Sequence, residues 1–221
     1  MRAEQTLSQG RAGAVERVAS PRYVLGQRHG ALASLVLKRC LDVVLSMLLL
    51  AAVLLVLVPA CVAIRLDSPG SALYRQWRSG RGGRPFRILK LRTMVAGADR
   101  LGSALTQNAD PRITRIGSTL RRWSLDELPQ LLNVLAGQMS LVGPRPELVA
   151  IVESYTARQK GVLAVRPGLT GWAQVNGRDD LSISQKLELD LDYVANRTTL
   201  RDLHIMARTV GVVLAGRGTK W

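Results

Sequence analysis

The sequence predicts a mainly α fold with minor β, built on one membrane-embedded helix. Three observations predict it. Leu41 to Ile64 is almost wholly apolar, and Met47–Ile64 holds no polar side chain. The composition is 47% hydrophobic but only 4% aromatic, so the apolar share is mostly Leu, Val and Ala, which suits a lipid-facing helix. Later segments, Leu125–Leu135 and Leu200–Leu214, repeat apolar residues at helical spacing.

Residues 1–30 are polar, contain Arg and Gly, and show no sustained period; they read as a flexible tail. Residues 31–70 form the membrane-embedded segment. At about 1.5 Å per residue its apolar run covers roughly 36 Å, enough to cross a hydrocarbon core of about 30 Å. Pro59 lies inside the run, where it removes the bond to the Leu55 carbonyl and kinks the helix. Both flanks are basic: Lys38 and Arg39 before, Arg65, Arg75, Arg78 and Arg81 after. Positive residues favour the cytoplasmic side, which fits a helix that enters and returns to one face. Proline also occurs in spanning helices, so the residue pattern leaves re-entrant and spanning topologies open. Asp42 sits one turn from Lys38 and can pair with it.

Asp67-Ser-Pro-Gly70 ends that segment as a turn cluster. Ser71–Trp77 reads as a short strand or interfacial segment. Ser79-Gly-Arg-Gly-Gly-Arg84 is a basic loop without the lysine and spacing of a P-loop. In Pro85–Met94, Phe86, Ile88 and Leu91 alternate with Arg87, Lys90 and Arg92, so the first set packs and the second reaches solvent or ligand. Val95–Leu101 reads as a short helix, Asn108–Arg115 as a turn and an irregular basic run, and Ser118–Trp123 as helix. Leu125–Leu135 continues as helix with Leu128, Leu131, Leu132 and Leu135 on its inner face, and Gly137 ends it. Val142-Gly-Pro-Arg-Pro146 is a rigid turn presenting Arg145. Glu147–Lys160 reads as an amphipathic helix and Arg166–Trp172 as a loop. Gln185–Asn196 reads as helix from its Gln, Lys, Glu and Leu content. Leu200–Leu214 is helical, with Leu203, Met206, Val210 and Val213 on one face.

Charge narrows the chemistry. The net charge is +15, and 26 of the 31 basic residues are arginine, whose planar fork grips phosphate in two-point contacts. Residues 65–122 carry +10 of the excess. A basic block beside an apolar helix reads as contact with anionic headgroups or a phosphorylated substrate; nucleic acid is the competing partner for such a patch. Cys40 and Cys61 have no metal-ligand spacing and make no disulfide framework. His29 and His204 are isolated.

The chemically richest stretch is Arg121–Pro146, R-R-W-S-L-D-E-L-P-Q-L-L-N-V-L-A-G-Q-M-S-L-V-G-P-R-P. Adjacent carboxylates at Asp126 and Glu127 stand between arginines, an arrangement suited to chemistry on phosphate. Ser124-Leu-Asp-Glu127 equally fits a capping box, with Ser124 as N-cap. Pro129 disturbs that register and is tolerated if Asp126 caps instead.

Read together, these motifs are recognisable. K-R-C-L-D, D-S-P-G, R-P-F-R-I-L-K-L-R-T-M, D-P-R-I-T-R-I-G, the stretch from Ser124 to Pro146 and R-P-G-L-T-G-W-A-Q-V-N-G-R follow one another from Lys38 onward. The chain resembles the bacterial sugar transferase family, the monotopic phosphoglycosyl transferases, in a short form. That resemblance implies transfer of a sugar 1-phosphate from a UDP-sugar to polyprenyl (undecaprenyl) phosphate, the first membrane step of polysaccharide or glycoconjugate assembly. It implies a Mg²⁺ requirement, with Asp126 as nucleophile and Glu127 as the metal-associated partner. Lys90, Arg92, Arg121 and Arg145 match the family's basic positions near the phosphates. Pro59 matches the family's helix break, which implies the re-entrant topology. Residues 71–221 are then a catalytic domain on the cytoplasmic face of the inner membrane, packed with amphipathic interfacial helices. The partners implied are UDP-sugar, polyprenyl phosphate and membrane lipid, without nucleic acid; a homodimer is left open. Two departures stand out: Ile205 follows His204 where lysine is frequent, and the tail has no counterpart. The alternative is a non-enzymatic, membrane-anchored basic protein that binds anionic lipid or nucleic acid.

Overall fold

The computed structural model describes residues 28–102 and 110–215. The expected tail therefore lies outside the described residues, except that 28–30 are already helical. Helix α1 runs over Arg28–Asp67, 40 residues, and passes through Pro59 without a break. Its facing is inverted relative to a soluble helix. Lys38, Asp42 and Ser46, spaced at i, i+4, turn toward the rest of the protein, and Asp42 and Ser46 are buried. Leu48, Leu54, Leu55, Val58 and Val62 point outward and are exposed.

Polar side chains dock α1 to the body. The Asp42 carboxylate accepts from Ser140 Oγ at 2.8 Å and from the Leu141 N–H at 3.1 Å. Lys38 Nζ reaches Asp202 at 2.7 Å and the predicted partner Asp42 at 3.9 Å. Arg39 donates to the Val134 and Leu135 carbonyls. The far half of α1 packs by apolar contact instead, with Leu57 and Ile64 against Ala72, Leu91 and Leu120.

Strands β1 (Leu73–Ser79) and β2 (Pro85–Leu91) form an antiparallel hairpin, with Tyr74 opposite Lys90 and Ser79 opposite Pro85. The alternation read from the sequence holds: Phe86, Ile88 and Leu91 are buried. Gly82 and Gly83, at φ 66° and 76°, supply the left-handed turn between them. Helix α2 (Arg115–Arg122) starts at Thr114, whose side chain accepts from the Gly117 N–H. Gly117 lets that helix touch β2's exit, since a Cβ there would lie 2.0 Å from the Thr93 carbonyl oxygen. Then come a 3₁₀ turn at Leu125–Glu127 and helix α3 (Gln130–Leu135). Asn133 ties α3 to β2, accepting from the Leu89 N–H and donating to the Arg87 carbonyl.

Strand β3 (Ser140–Val142) is followed by helix α4 (Val149–Glu153), a 3₁₀ segment at Gln159–Ala164, and strand β4 (Gly168–Thr170), which pairs parallel with β3. Helices α5 (Trp172–Val175), α6 (Ile183–Ala195) and α7 (Thr199–Ala215) complete the described chain. Residue Ser182 caps α6 in a capping box with Gln185. The main core gathers Phe86, Ile88, Leu131, Val134, Met139, Leu141, Val142, Val175, Tyr193 and Ile205.

Several expectations are corrected. Glu147–Lys160 is not one helix: Thr156 and Gln159 exchange side-chain bonds with each other's backbone N–H and start a new turn. Val95–Leu101 holds only a 3₁₀ turn at Ala98–Arg100, entered through left-handed Gly97. Part of the expected loop at Arg166–Trp172 is strand β4. Leu125–Leu135 is interrupted before α3, and its inner face is Gln130, Leu131, Asn133 and Val134, with Leu132 exposed. On α7 the buried residues are Asp202 and Ile205, whereas Leu200, Leu203, Val210 and Leu214 face outward.

Candidate active site

A cavity of about 610 Å³ opens between the hairpin, the 124–127 turn, the 144–147 turn and α6. Lys90, Arg92, Arg121, Asp126, Glu127 and Arg145 all line it. Pro59 does not.

Asp126 and Glu127 sit on the 3₁₀ turn that follows Ser124. Ser124 is no N-cap: it adopts φ 54°, makes no capping bond, and its Oγ instead accepts from Arg178 Nη2 at 2.8 Å. The expected capping box is absent because the tight turn points that hydroxyl away from the following N–H groups. The dyad is instead held by long-range contacts.

The two carboxylates differ sharply. Glu127 Oε1 accepts from Lys90 Nζ at 2.9 Å and from Arg145 Nη2 at 2.7 Å, and Oε2 accepts from Arg145 Nη1 at 3.3 Å. These cations hold Glu127 well below the usual carboxylate range despite its burial. Asp126 is also buried. Burial first, then the Glu127 charge, push its pKa above the ordinary aspartate value, with Lys90, Arg121 and Arg145 opposing. Neighbouring acids driven apart in this way commonly mark different chemical roles.

The arginines divide their work. Arg145 reaches the dyad from the Gly143-Pro-Arg-Pro146 turn. Arg121 donates from Nε to Thr93 Oγ1 at 2.8 Å and faces the Asp126 charge; burial lowers its pKa. Arg92 lines the cavity, but its guanidinium donates to the Ile64, Ser68 and Pro69 carbonyls, tying the exit of β2 to the turn that follows α1. Arg78, which the sequence reading treated only as a membrane flank, also lines the cavity and donates to the Pro146 carbonyl at 3.3 Å.

Asp190 is a further residue that sequence reasoning missed. It is buried on α6 beside Leu187 and Tyr193, and burial pushes its pKa up to about 7. The signal was present: Leu187, Asp190 and Tyr193 fall on one helical face, so a carboxylate sits in an apolar row.

The dyad also limits what metal the site can hold. Among the described residues, no three His, Cys, Asp or Glu side chains come together, so there is no all-protein cage. Mg²⁺ ordinarily takes one or two carboxylates and completes its shell with substrate phosphates and water. Asp126 and Glu127 fit that pattern, with Lys90 and Arg145 already sharing Glu127.

Residues 33–216 match the family described as Bacterial sugar transferase. The chain is 49% identical over 185 residues to the UDP-glucose:undecaprenyl-phosphate glucose-1-phosphate transferase of Caulobacter vibrioides, covering 80% of this chain and 69% of that protein. It is 41% identical to the uncharacterized sugar transferase EpsL of Bacillus subtilis, covering 83% of this chain and 90% of that one. It is 43% identical to the UDP-glucose:undecaprenyl-phosphate glucose-1-phosphate transferase of Escherichia coli, of which it spans 39%.

Proposed function

The chain belongs to the bacterial sugar transferase family, and on that premise we propose that it transfers a sugar 1-phosphate from a UDP-sugar to polyprenyl (undecaprenyl) phosphate. The observation that carries this reading is the buried Asp126 carboxylate beside a Glu127 already neutralised by Lys90 and Arg145.

An Asp126 oxygen attacks the sugar-proximal phosphorus. The bond from that phosphorus to the bridging oxygen breaks, and UMP departs with the bridging oxygen and its electrons. The phosphosugar is left on Asp126. A phosphate oxygen of the polyprenyl phosphate then attacks the same phosphorus, forming the lipid-linked diphosphate sugar and restoring the carboxylate. A carboxylate meeting a diphosphate is a contact between anions. Lys90, Arg121 and Arg145 offset that repulsion and stabilise charge spread over the transferring group. Because Glu127 is paired, it adds less repulsion than a free carboxylate would. Mg²⁺, held by Glu127 and Asp126 together with the diphosphate, would supply further charge neutralisation. Splitting the reaction in two makes ping-pong kinetics the expected pattern.

In this reading α1 bends at Pro59 while staying one helix and returns to the same leaflet, which would hold the site at headgroup depth on the cytoplasmic face, within reach of both a soluble nucleotide and a lipid phosphate. The docking of α1 supports that topology. Contacts with the body run from Lys38 to Ile64, roughly 39 Å of helix against a hydrocarbon core of about 30 Å. A helix crossing upright would drag the body's polar groups through lipid.

The test is UMP release from a panel of UDP-sugars with undecaprenyl phosphate supplied. Asp126→Asn is expected to abolish turnover, and wild-type enzyme given UDP-sugar alone is expected to gain the mass of one phosphosugar. Activity surviving in Asp126→Asn, with no mass gain in wild type, overturns the nucleophile assignment.

A further inference from the structure

Two side chains that the mechanism leaves unused line the cavity wall built by α5 and α6. Asp190 is only 6% exposed, and its Oδ1 has no hydrogen-bond partner. Gln174 is buried at both ends of its carboxamide, and neither Oε1 nor Nε2 has a partner. Both residues line the same cavity as the dyad. The backbone N–H groups of Arg145 and Ala173 are directed at the Asp190 carboxylate, which anchors it to the turn that carries Arg145 to Glu127.

Buried polar atoms are ordinarily hydrogen-bonded, because an unmade bond forfeits the group's hydration. Three such atoms on one wall form an acceptor-rich surface with one amide donor. A phosphate is the poorer occupant, since neither Asp190 nor Gln174 offers it positive charge and the ionised form of Asp190 repels it. A hydroxyl is the right one: its O–H donates to a carboxylate and its oxygen accepts from an amide. Val152 and Leu187, buried in the same lining, suit the C–H face of a sugar ring.

We propose that Asp190 and Gln174 form a polyol subsite that takes hydroxyl groups of the sugar carried by the donor substrate. This rests on the UDP-sugar reading above. The nucleotide's ribose offers the same chemistry, and the experiment separates the two sources.

The experiment measures UDP-sugar KM and kcat by UMP release, and the inhibition constant of UDP, in wild type, Asp190→Asn and Gln174→Leu. Asparagine keeps the shape and still accepts from the two N–H groups, and thermal unfolding checks that both variants fold. Asp190→Asn is expected to raise UDP-sugar KM tenfold or more, and Gln174→Leu severalfold, with UDP inhibition within twofold of wild type. A deoxy-sugar donor lacking the contacted hydroxyl is expected to close most of the gap between wild type and Asp190→Asn. An unchanged KM in both variants overturns the subsite. A parallel rise in the UDP inhibition constant moves the contact to ribose or base and overturns the sugar assignment. A fall in kcat alone makes Asp190 a support for the Arg145 turn and likewise overturns it. If wild type turns over no UDP-sugar, the functional reading fails by itself. The subsite then stands or falls on equilibrium binding of UDP-glucose against UDP to wild type and Asp190→Asn.

Discussion

Arg178 donates a hydrogen bond to Ser124 Oγ at 2.8 Å, joining the two non-glycine residues that sit at positive φ among those described. Ser124 lies at φ 54° and Arg178 at φ 51°. Such conformations cost on the order of 1–3 kcal/mol each and persist where surrounding structure over-determines them. Ser124 immediately precedes the turn that carries Asp126 and Glu127, so this contact helps set the direction of the dyad.

Substitutions at Ser124 should therefore separate backbone strain from hydrogen bonding. Ser124→Gly relieves the left-handed penalty while losing one acceptor, and is expected to unfold within about 1 kcal/mol of wild type. Ser124→Val places a β-branched residue at the same φ and is expected to lose about 2 kcal/mol or more. Thermal unfolding of the purified proteins checks the order; valine equal to or above glycine contradicts it.

The acid limb of activity should report Asp126. The nucleophile must be ionised, and burial with the Glu127 charge holds its pKa above the ordinary value. Activity is then present above that raised pKa and lost as pH falls through it, at higher pH than the roughly 3.9 of an unperturbed aspartate. Glu127→Gln removes one of the two causes, so the residual activity should keep its acid limb at lower pH. Profiles of kcat/KM for UMP release decide this, and a limb that moves upward opposes it.

Docking of α1 should depend on one buried acid. Asp42→Ala leaves the Ser140 hydroxyl and the Leu141 N–H without their buried acceptor. A loss of about 2–4 kcal/mol is expected, together with faster proteolysis in detergent. Lys38→Met should cost less, because Asp202 keeps its 2.7 Å bond from Tyr193. Equal losses would argue against Asp42 as the main tie.

The outward face of α1 should act on membrane binding alone. Leu55 is 82% exposed, so Leu55→Arg removes little packing within the protein. Arginine in mid-bilayer costs about 2.5–3.5 kcal/mol on insertion scales, which is roughly a hundredfold in partitioning. Flotation with phospholipid vesicles should show that loss with unfolding unchanged; undiminished flotation would mean that this face does not meet lipid.

Much of the site was legible because its residues are close in sequence or sit in strongly patterned segments. The alternation of Phe86, Ile88 and Leu91 with Lys90 placed the lysine on the ligand side of β2, where it meets Glu127. The Gly-Pro-Arg-Pro turn did project Arg145 toward the dyad. Ser124 was misread because a capping box and this strained turn share the same four residue types. Only Arg178, 54 positions away, decides between them. Arg92 carries the charge of a phosphate ligand, yet its guanidinium is committed to carbonyls of the α1 terminus, a contact that no local pattern announces.

By itself, the sequence determined that a long apolar helix exists, that a basic hairpin follows it, that Gly137 stops α3 in the left-handed region at φ 77°, and that an acidic dyad stands among arginines. Those features follow from side-chain period, backbone freedom and charge, all local properties. Only the tertiary structure decided which faces turn inward. On α1 the inner face carries Lys38, Asp42 and Ser46; on α7 it carries Asp202 and Ile205, with leucine and valine left outside. Periodicity shows that a helix has two faces, but where lipid competes with protein for the apolar one, buried polar groups choose the inner face. The buried carboxylates must find partners, and Ser140, Tyr193 and Lys38 supply them to Asp42 and Asp202 from distant parts of the chain.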